Sequence, residues 1–318
     1  MTAGQTDGAA ADGTSADAAS ADGAAVARQM WMLAEPVHVM TYFTAEGRAA
    51  YEAAGLRGFW RGYFAGRAGA LGPVGPAPVV AAFYGFAPQM VERALPAVWQ
   101  LISPEAAMEA RTAGAVAALR RVLAGAGLDP DGAETEAAAD GLHAAMAGAD
   151  CGGRVLGAAN AALEVPDEPL ARLWLAATVL REHRGDGHIA ALVAADLDGL
   201  EVQALRAGLD MHREVMQPNR GWTDEEWDAA AARLMDRGLL GADGRATPEG
   251  RQLVLDLEAA TDRAAARPWA AVDPAAAADL AERLAPISAA CRAEMPPRTP
   301  IGLPYEAGAP AAPGIPAS

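Results

Sequence analysis

The chain has 318 residues, 52% of them hydrophobic, with a formal net charge of −16. That length holds two domains or one large helical one, and much of the apolar fraction is alanine, which favours helix but buries little area per residue. No apolar run reaches the roughly 18–20 residues of a membrane span, and Cys151 and Cys291 match no metal or redox spacing, so a reducing cytoplasm is expected.

Residues 1–25 are rich in Ala, Gly, Asp, Ser and Thr. Asp7, Asp12, Asp17 and Asp22 stand there with no basic residue and no apolar core. This predicts a disordered acidic tail and excludes a signal peptide. Residues 26–165 read as a helical, aromatic-rich region. Helices are expected over Thr44–Ala54 and Leu56–Ala68, with an extended turn at Leu71–Pro78 because its prolines and glycines exclude regular helix. A helix restarts near Val79. Ser103-Pro104-Glu105 opens another, with Ser as cap and Pro at the first position. Tyr63, Phe64, Arg67, Tyr84 and Phe86 form a candidate ligand pocket of aromatics around one fixed cation. The alternative is that the rings fill a core and Arg67 pairs with an acid or a carbonyl. Further helices are expected over 133–147 and 152–163, then a boundary at Val165-Pro166-Asp167. Thr44-Ala45-Glu46-Gly47-Arg48 echoes Thr247-Pro248-Glu249-Gly250-Arg251 at four of five positions, the trace a decayed winged-helix repeat would leave.

Residues 166–270 read as a winged-helix domain. Asp167 can cap a helix carrying Leu170, Leu173, Trp174, Ala177 and Leu180 at helical spacing. That helix is expected to end within Arg181–His188, with Gly185 just past its end and Asp186 capping the next helix. His183, Arg184, Asp186 and His188 are the second part of the candidate ligand site. Two glycines in that turn allow the histidines to approach, and Asp210 and His212 can join by folding. The spacing is no standard zinc signature. After a helix near Leu200–Leu209, Thr223 caps a helix and Glu226 completes a capping box. Leu239-Leu240 is a short strand, Asp243-Gly244 a tight turn, and Thr247-Pro248 a new helix start. Residues 271–295 hold a C-terminal helix from Pro274 to about Ala285, and 296–318 a Pro/Ala/Gly-rich tail.

The pattern L-x-x-R-G-L-L (Leu234–Leu240), then D-G-R, then T-P-E-G resembles the winged helix of MarR-type regulators. The strings F-A-G-R (Phe64–Arg67), F-Y-G-F-A-P (Phe83–Pro88) and H-R-G-D-G-H (His183–His188) are similar to those of actinobacterial winged-helix proteins of the SalK-like kind. The resemblance implies a mainly α fold, with a helical N-terminal region packed on a MarR-like helix-turn-helix that carries a short β-wing. It also implies that the helix before the wing enters the DNA major groove.

The chemistry of that helix opposes the implication. Between Trp222 and Leu240 stand five acids (Asp224, Glu225, Glu226, Asp228, Asp236) and two bases (Arg233, Arg237), a net of −3. DNA affinity comes largely from neutralising phosphates, and here like charges would meet. The first reading is therefore a winged-helix protein that binds a small molecule or a protein partner, with weak or no DNA affinity. A second is a MarR-type regulator, its DNA contacts made by Arg220, Arg233 and Arg245 and shared across a homodimer. A third is a histidine-dependent enzyme of secondary metabolism, with or without a metal. No motif in the chain specifies a cofactor or a metal.

Overall fold

The computed structural model describes residues 10–296 with 298 and 301, and side chains from Asp22 onward. Three apolar cores succeed one another along the molecule. The first is closed by α1 (Ala10–His38), which the one-turn α2 (Met40–Phe43) follows. The expected acidic tail is helical from Ala10, as the start of α1; residues 1–9 lie outside the described residues. Alanine is the strongest helix former, and Ala27, Met30, Ala34 and Val37 anchor the helix downstream by burial.

The second core lies under α3 (Ala45–Ala53), α4 (Phe59–Ala68), α5 (Pro76–Phe83) and α6 (Pro88–Glu92). The expected extended turn at Leu71–Pro78 is shorter than predicted. Pro76 and Pro78 fall in the first turn of α5, where a missing N–H leaves no intrahelical bond unmade. Ser103 caps α7 (Pro104–Gly125) by accepting from the Ala106 N–H, as its position implies. α7 joins α8 (Ala133–Ala147) and α15 (Pro274–Arg292) in the first core, where Leu119, Leu142 and Leu284 are fully buried. α15 continues beyond the predicted Ala285. Of the Pro/Ala/Gly-rich segment after residue 295, only 296, 298 and 301 are described.

Two helices connect the halves. α9 (Val155–Ala161) is short. α10 (Pro169–Ala194) is the spine, and its N-terminal half sits in the first core through Leu170, Leu173 and Trp174. Glu168, not Asp167, occupies its N-cap position. The expected break at Arg181–His188 is absent, because the helix runs straight through both glycines. Asp186 lies inside α10 and starts no new helix. The cause is tertiary. Glu182 meets Arg67, His183 meets the Asp150 carbonyl, Arg184 meets Glu258 and Asp262, and Asp186 accepts from the Gly157 N–H. Those partners outweigh the roughly 1 kcal/mol that each helical glycine costs relative to alanine.

The third core is the helix-turn-helix. It is formed by the end of α10 with α11 (Gly199–Ala207), α12 (Arg213–Arg220), α13 (Asp224–Asp236) and α14 (Pro248–Ala264). Thr223 and Glu226 make the predicted capping box, and Trp227, Ala230 and Leu234 are the buried face of α13. The expected β-wing is reduced to one antiparallel bridge, Leu240 to Ala246, with no strand among the described residues. Gly244, at a φ of 73°, makes the tight turn between its arms. The arms are joined by the Gly241 N–H to the Arg245 carbonyl and the Thr247 N–H to the Leu239 carbonyl, and the Ala246 N–H turns outward to the Gly208 carbonyl. Thr44 and Thr247 repeat the same local cap: each accepts from the N–H of the glycine three residues on. No helix among the described residues is long and apolar enough to cross a membrane.

Candidate functional site: an arginine-lined aromatic cavity

A cavity of about 450 Å³ opens between the second core and the helix-turn-helix. α4 contributes Phe59, Trp60, Tyr63 and Arg67, which helical spacing places on neighbouring rows of one face. The segment Phe83–Phe86 supplies the next wall. Arg181, Gly185, His188 and Leu192 come from α10, Val202 and Gln203 from α11, and Met216, Asn219 and Arg220 from α12.

The Phe83–Phe86 segment is pinned to the helix-turn-helix. Tyr84 has a φ of 55°, a strained value for a residue with a Cβ. It is held by its hydroxyl, which donates to the Leu197 carbonyl at 2.5 Å. The Gly85 carbonyl accepts from Gln203 Nε2 at 2.5 Å and from Trp222 Nε1 at 3.0 Å. The Ala87 N–H donates to the Arg220 carbonyl at 2.9 Å.

Behind the rings lies a buried ion cluster. Arg67 donates twice to Glu182, at 2.9 and 3.0 Å, and once to the Tyr63 hydroxyl at 3.2 Å. Arg181 donates to the same Glu182 at 2.8 Å. Burial opposes ionisation of Glu182, yet Arg181 and Arg67 outweigh it and hold its carboxyl well below the usual range. The Arg67 guanidinium lies 4.1 Å from the Phe83 ring centre, and that of Arg220 lies 4.6 Å from Phe86. Burial, reinforced by repulsion from Arg67 and Arg181, pushes Arg220 down to about 10, against the opposing pull of Tyr63.

His188 has a fixed tautomer. The Thr261 hydroxyl donates to the Leu257 carbonyl at 2.7 Å, so its oxygen accepts from His188 Nδ1–H at 2.9 Å. Nε2 then carries a lone pair. Burial, with Arg184, Arg206 and Arg181, brings His188 down to about 3, and burial with Arg154 brings His183 to about 4. Both imidazoles are neutral near pH 7.

Of the residues chosen from sequence, Tyr63, Arg67, Tyr84, Phe86 and His188 line the cavity. Phe64 does not: it is fully buried in the second core. His183 and Asp186 turn to the α9 side of α10, and His183 and His188 therefore share no site. Arg184 pairs with Glu258 and Asp262 under Trp31, lining an adjoining cavity of about 230 Å³. Asp210 is held by Arg206, and His212 stands beside Glu214. No group of three or more His, Cys, Asp or Glu among the described residues is placed to hold a metal ion. Sequence reasoning missed Trp60, Arg181, Gln203 and Met216. Trp60, three residues before Tyr63, was the readable signal; the others become neighbours only through folding.

The DNA-contact set is also redistributed. Arg220 faces the cavity, and Arg233 is paired with Glu201 and Asp198, both at 2.7 Å. Arg245 is exposed in the turn between Leu240 and Ala246. Arg213 takes Asp224 and Asp228 at 3.0 and 2.7 Å, while Glu225 and Asp236 remain exposed on α13.

Fold and site together define a helical protein in which a helix-turn-helix closes one side of an internal aromatic cavity. A helix-turn-helix family model matches residues 27–296, and the chain belongs to that family. Searches of curated proteins and of solved structures return no match.

Proposed function

We propose that this is a small-molecule-binding winged-helix protein with weak or no affinity for DNA, its ligand seated in the 450 Å³ cavity. The carrying observation is that three arginines of the helix-turn-helix are taken up by groups of the same chain. Arg220 faces the cavity, and Arg233 and Arg237, both at the surface, are paired with Asp198 and Glu201 and with the Asp196 carbonyl, leaving α13 with an acidic exposed face. A cavity of this size, walled by aromatics with a few fixed polar groups, suits a small organic ligand better than a protein segment. The F-A-G-R, F-Y-G-F-A-P and H-R-G-D-G-H strings all contribute to or back this cavity, which favours a SalK-like assignment within the family.

A MarR-type DNA-binding role is the second reading, favoured by family membership and by the exposed Arg245. Anisotropy titration of random duplex DNA at about 50 mM salt separates the two, because the phosphate contribution is strongest there. The proposal expects no micromolar binding. Micromolar binding that weakens steeply with salt selects the regulator.

A further inference from the structure

We infer that the cavity takes a planar aromatic acid: a carboxylate on a ring system that also carries a hydroxyl. This rests on the cavity being the ligand site, and it follows from the kinds of group on the wall.

The charge comes first. In a chain of net charge −16, the wall holds Arg67, Arg181, Arg220 and Arg298 and, among the described residues, no Asp or Glu. Glu182 lies behind the wall, 1% exposed, and serves Arg67 and Arg181 together, with Glu35 3.6 Å from Arg181. Arg298 stands 3.5 Å from Glu214. The wall is thus electropositive. Arg220 registers this, since after burial Arg67 and Arg181 depress it. An organic anion is the ligand such a wall favours, and a carboxylate matches the planar fork of a guanidinium.

The rings set the shape. Trp60, Tyr63 and Phe86 pack edge-on and tilted, with centroids 5.5 to 6.0 Å apart, and the guanidinium of Arg220 lies over Phe86. Flat aromatic faces and edges of this kind receive a ring rather than a branched chain.

The acceptors set the second polar group. His188 is locked with Nδ1–H donated to Thr261, so Nε2 offers a lone pair and no proton. Gln203 donates Nε2 to the carbonyls of Gly85 and Gly199, which fixes its amide and leaves Oε1 buried without a partner. His188 Nε2 and Gln203 Oε1 are two acceptors that match a ligand hydroxyl.

The test uses the full-length protein and four compounds: 6-hydroxy-2-naphthoate, its methyl ester, 2-naphthoate and 2-naphthylmethylamine, titrated by calorimetry. The acid is expected to bind at least about tenfold more tightly than ester or amine, and about tenfold more tightly than 2-naphthoate, the scale of one hydrogen bond to a charged or buried partner. His188→Phe should erase the preference for the hydroxyl. Arg220→Met should erase the preference for the acid, and Arg220→Lys should recover part of it; a thermal melt of each variant confirms folding. An ester or amine that binds as tightly as the acid overturns the ligand class and leaves the cavity reading standing. If no naphthalene, charged or neutral, binds in the millimolar range, the cavity reading itself falls.

Discussion

At the scale of single residues, buried charge dominates. Arg67 and Glu182 are 9% and 1% exposed in their side chains and make a two-point pair. Removing one partner of such a pair leaves an uncompensated buried charge, so Arg67→Met is expected to destabilise by roughly 3–5 kcal/mol in chemical denaturation. Arg67→Met with Glu182→Leu should recover much of that loss. The histidines set a pH window. His183 and His188 have folded-state values of about 4 and about 3, below the roughly 6.5 of an unfolded chain. Between those limits the unfolded state binds more protons, so stability rises with pH. The contribution is fully present above about pH 6.5 and is lost as pH falls toward the folded values. Each histidine should cost about 2 kcal/mol between pH 7 and pH 5. Denaturation of His188→Gln at both pH values should show that much less pH dependence than the parent; equal slopes would refute the assignment.

At the scale of elements, α10 decides the architecture. Its two glycines make opposite predictions. A Cβ on Gly185 would find its nearest neighbours at 3.8 Å, so Gly185→Ala should stabilise by about 0.5–1 kcal/mol, the helix-propensity gain. A Cβ on Gly187 would run into the Arg154 guanidinium and lie 3.2 Å from the Ala264 Cβ, and Arg154 is tied to the His183 and Ala264 carbonyls. Gly187→Ala should therefore destabilise by about 1–3 kcal/mol despite the same propensity gain. Thermal melts of the pair read this directly, and a destabilised Gly185→Ala would place a break in the helix after all. The Phe83–Phe86 segment is the other decisive element, since it ties the cavity to the helix-turn-helix through Gly85. Trp222→Phe removes one donor to that carbonyl. Ligand-dependent protection of α13 in hydrogen exchange should shrink in this variant while cavity binding persists.

At the scale of the molecule, the sequence was most readable where local chemistry agrees with the fold. The Thr223–Glu226 box, the Ser103 and Thr247 caps and the Trp227–Leu234 face all follow from short-range rules that tertiary packing reinforces. It was least readable where packing overrides them. Gly185 after Arg184 has the pattern of a helix end, and only the partners brought by α4, α9 and α14 keep α10 intact. The aromatic wall of the cavity was legible in part because Tyr63, Arg67, Tyr84 and Phe86 lie close in sequence. Arg220 was read as a DNA contact because its cavity-side neighbour, Phe86, lies more than a hundred residues earlier.

The account turns on which cavity is occupied. The open groove beside α7 is larger, about 1010 Å³, and Met108 lines it, whereas Met216 lines the arginine-rich cavity. The decisive measurement is a methyl spectrum of protein carrying ¹³C-methyl methionine, titrated with 6-hydroxy-2-naphthoate. The ring current of a bound naphthalene is expected to move the Met216 methyl and leave Met108 and the core residue Met146 in place. Movement of Met108 with Met216 unchanged would contradict the account and move the ligand site to the α7 groove.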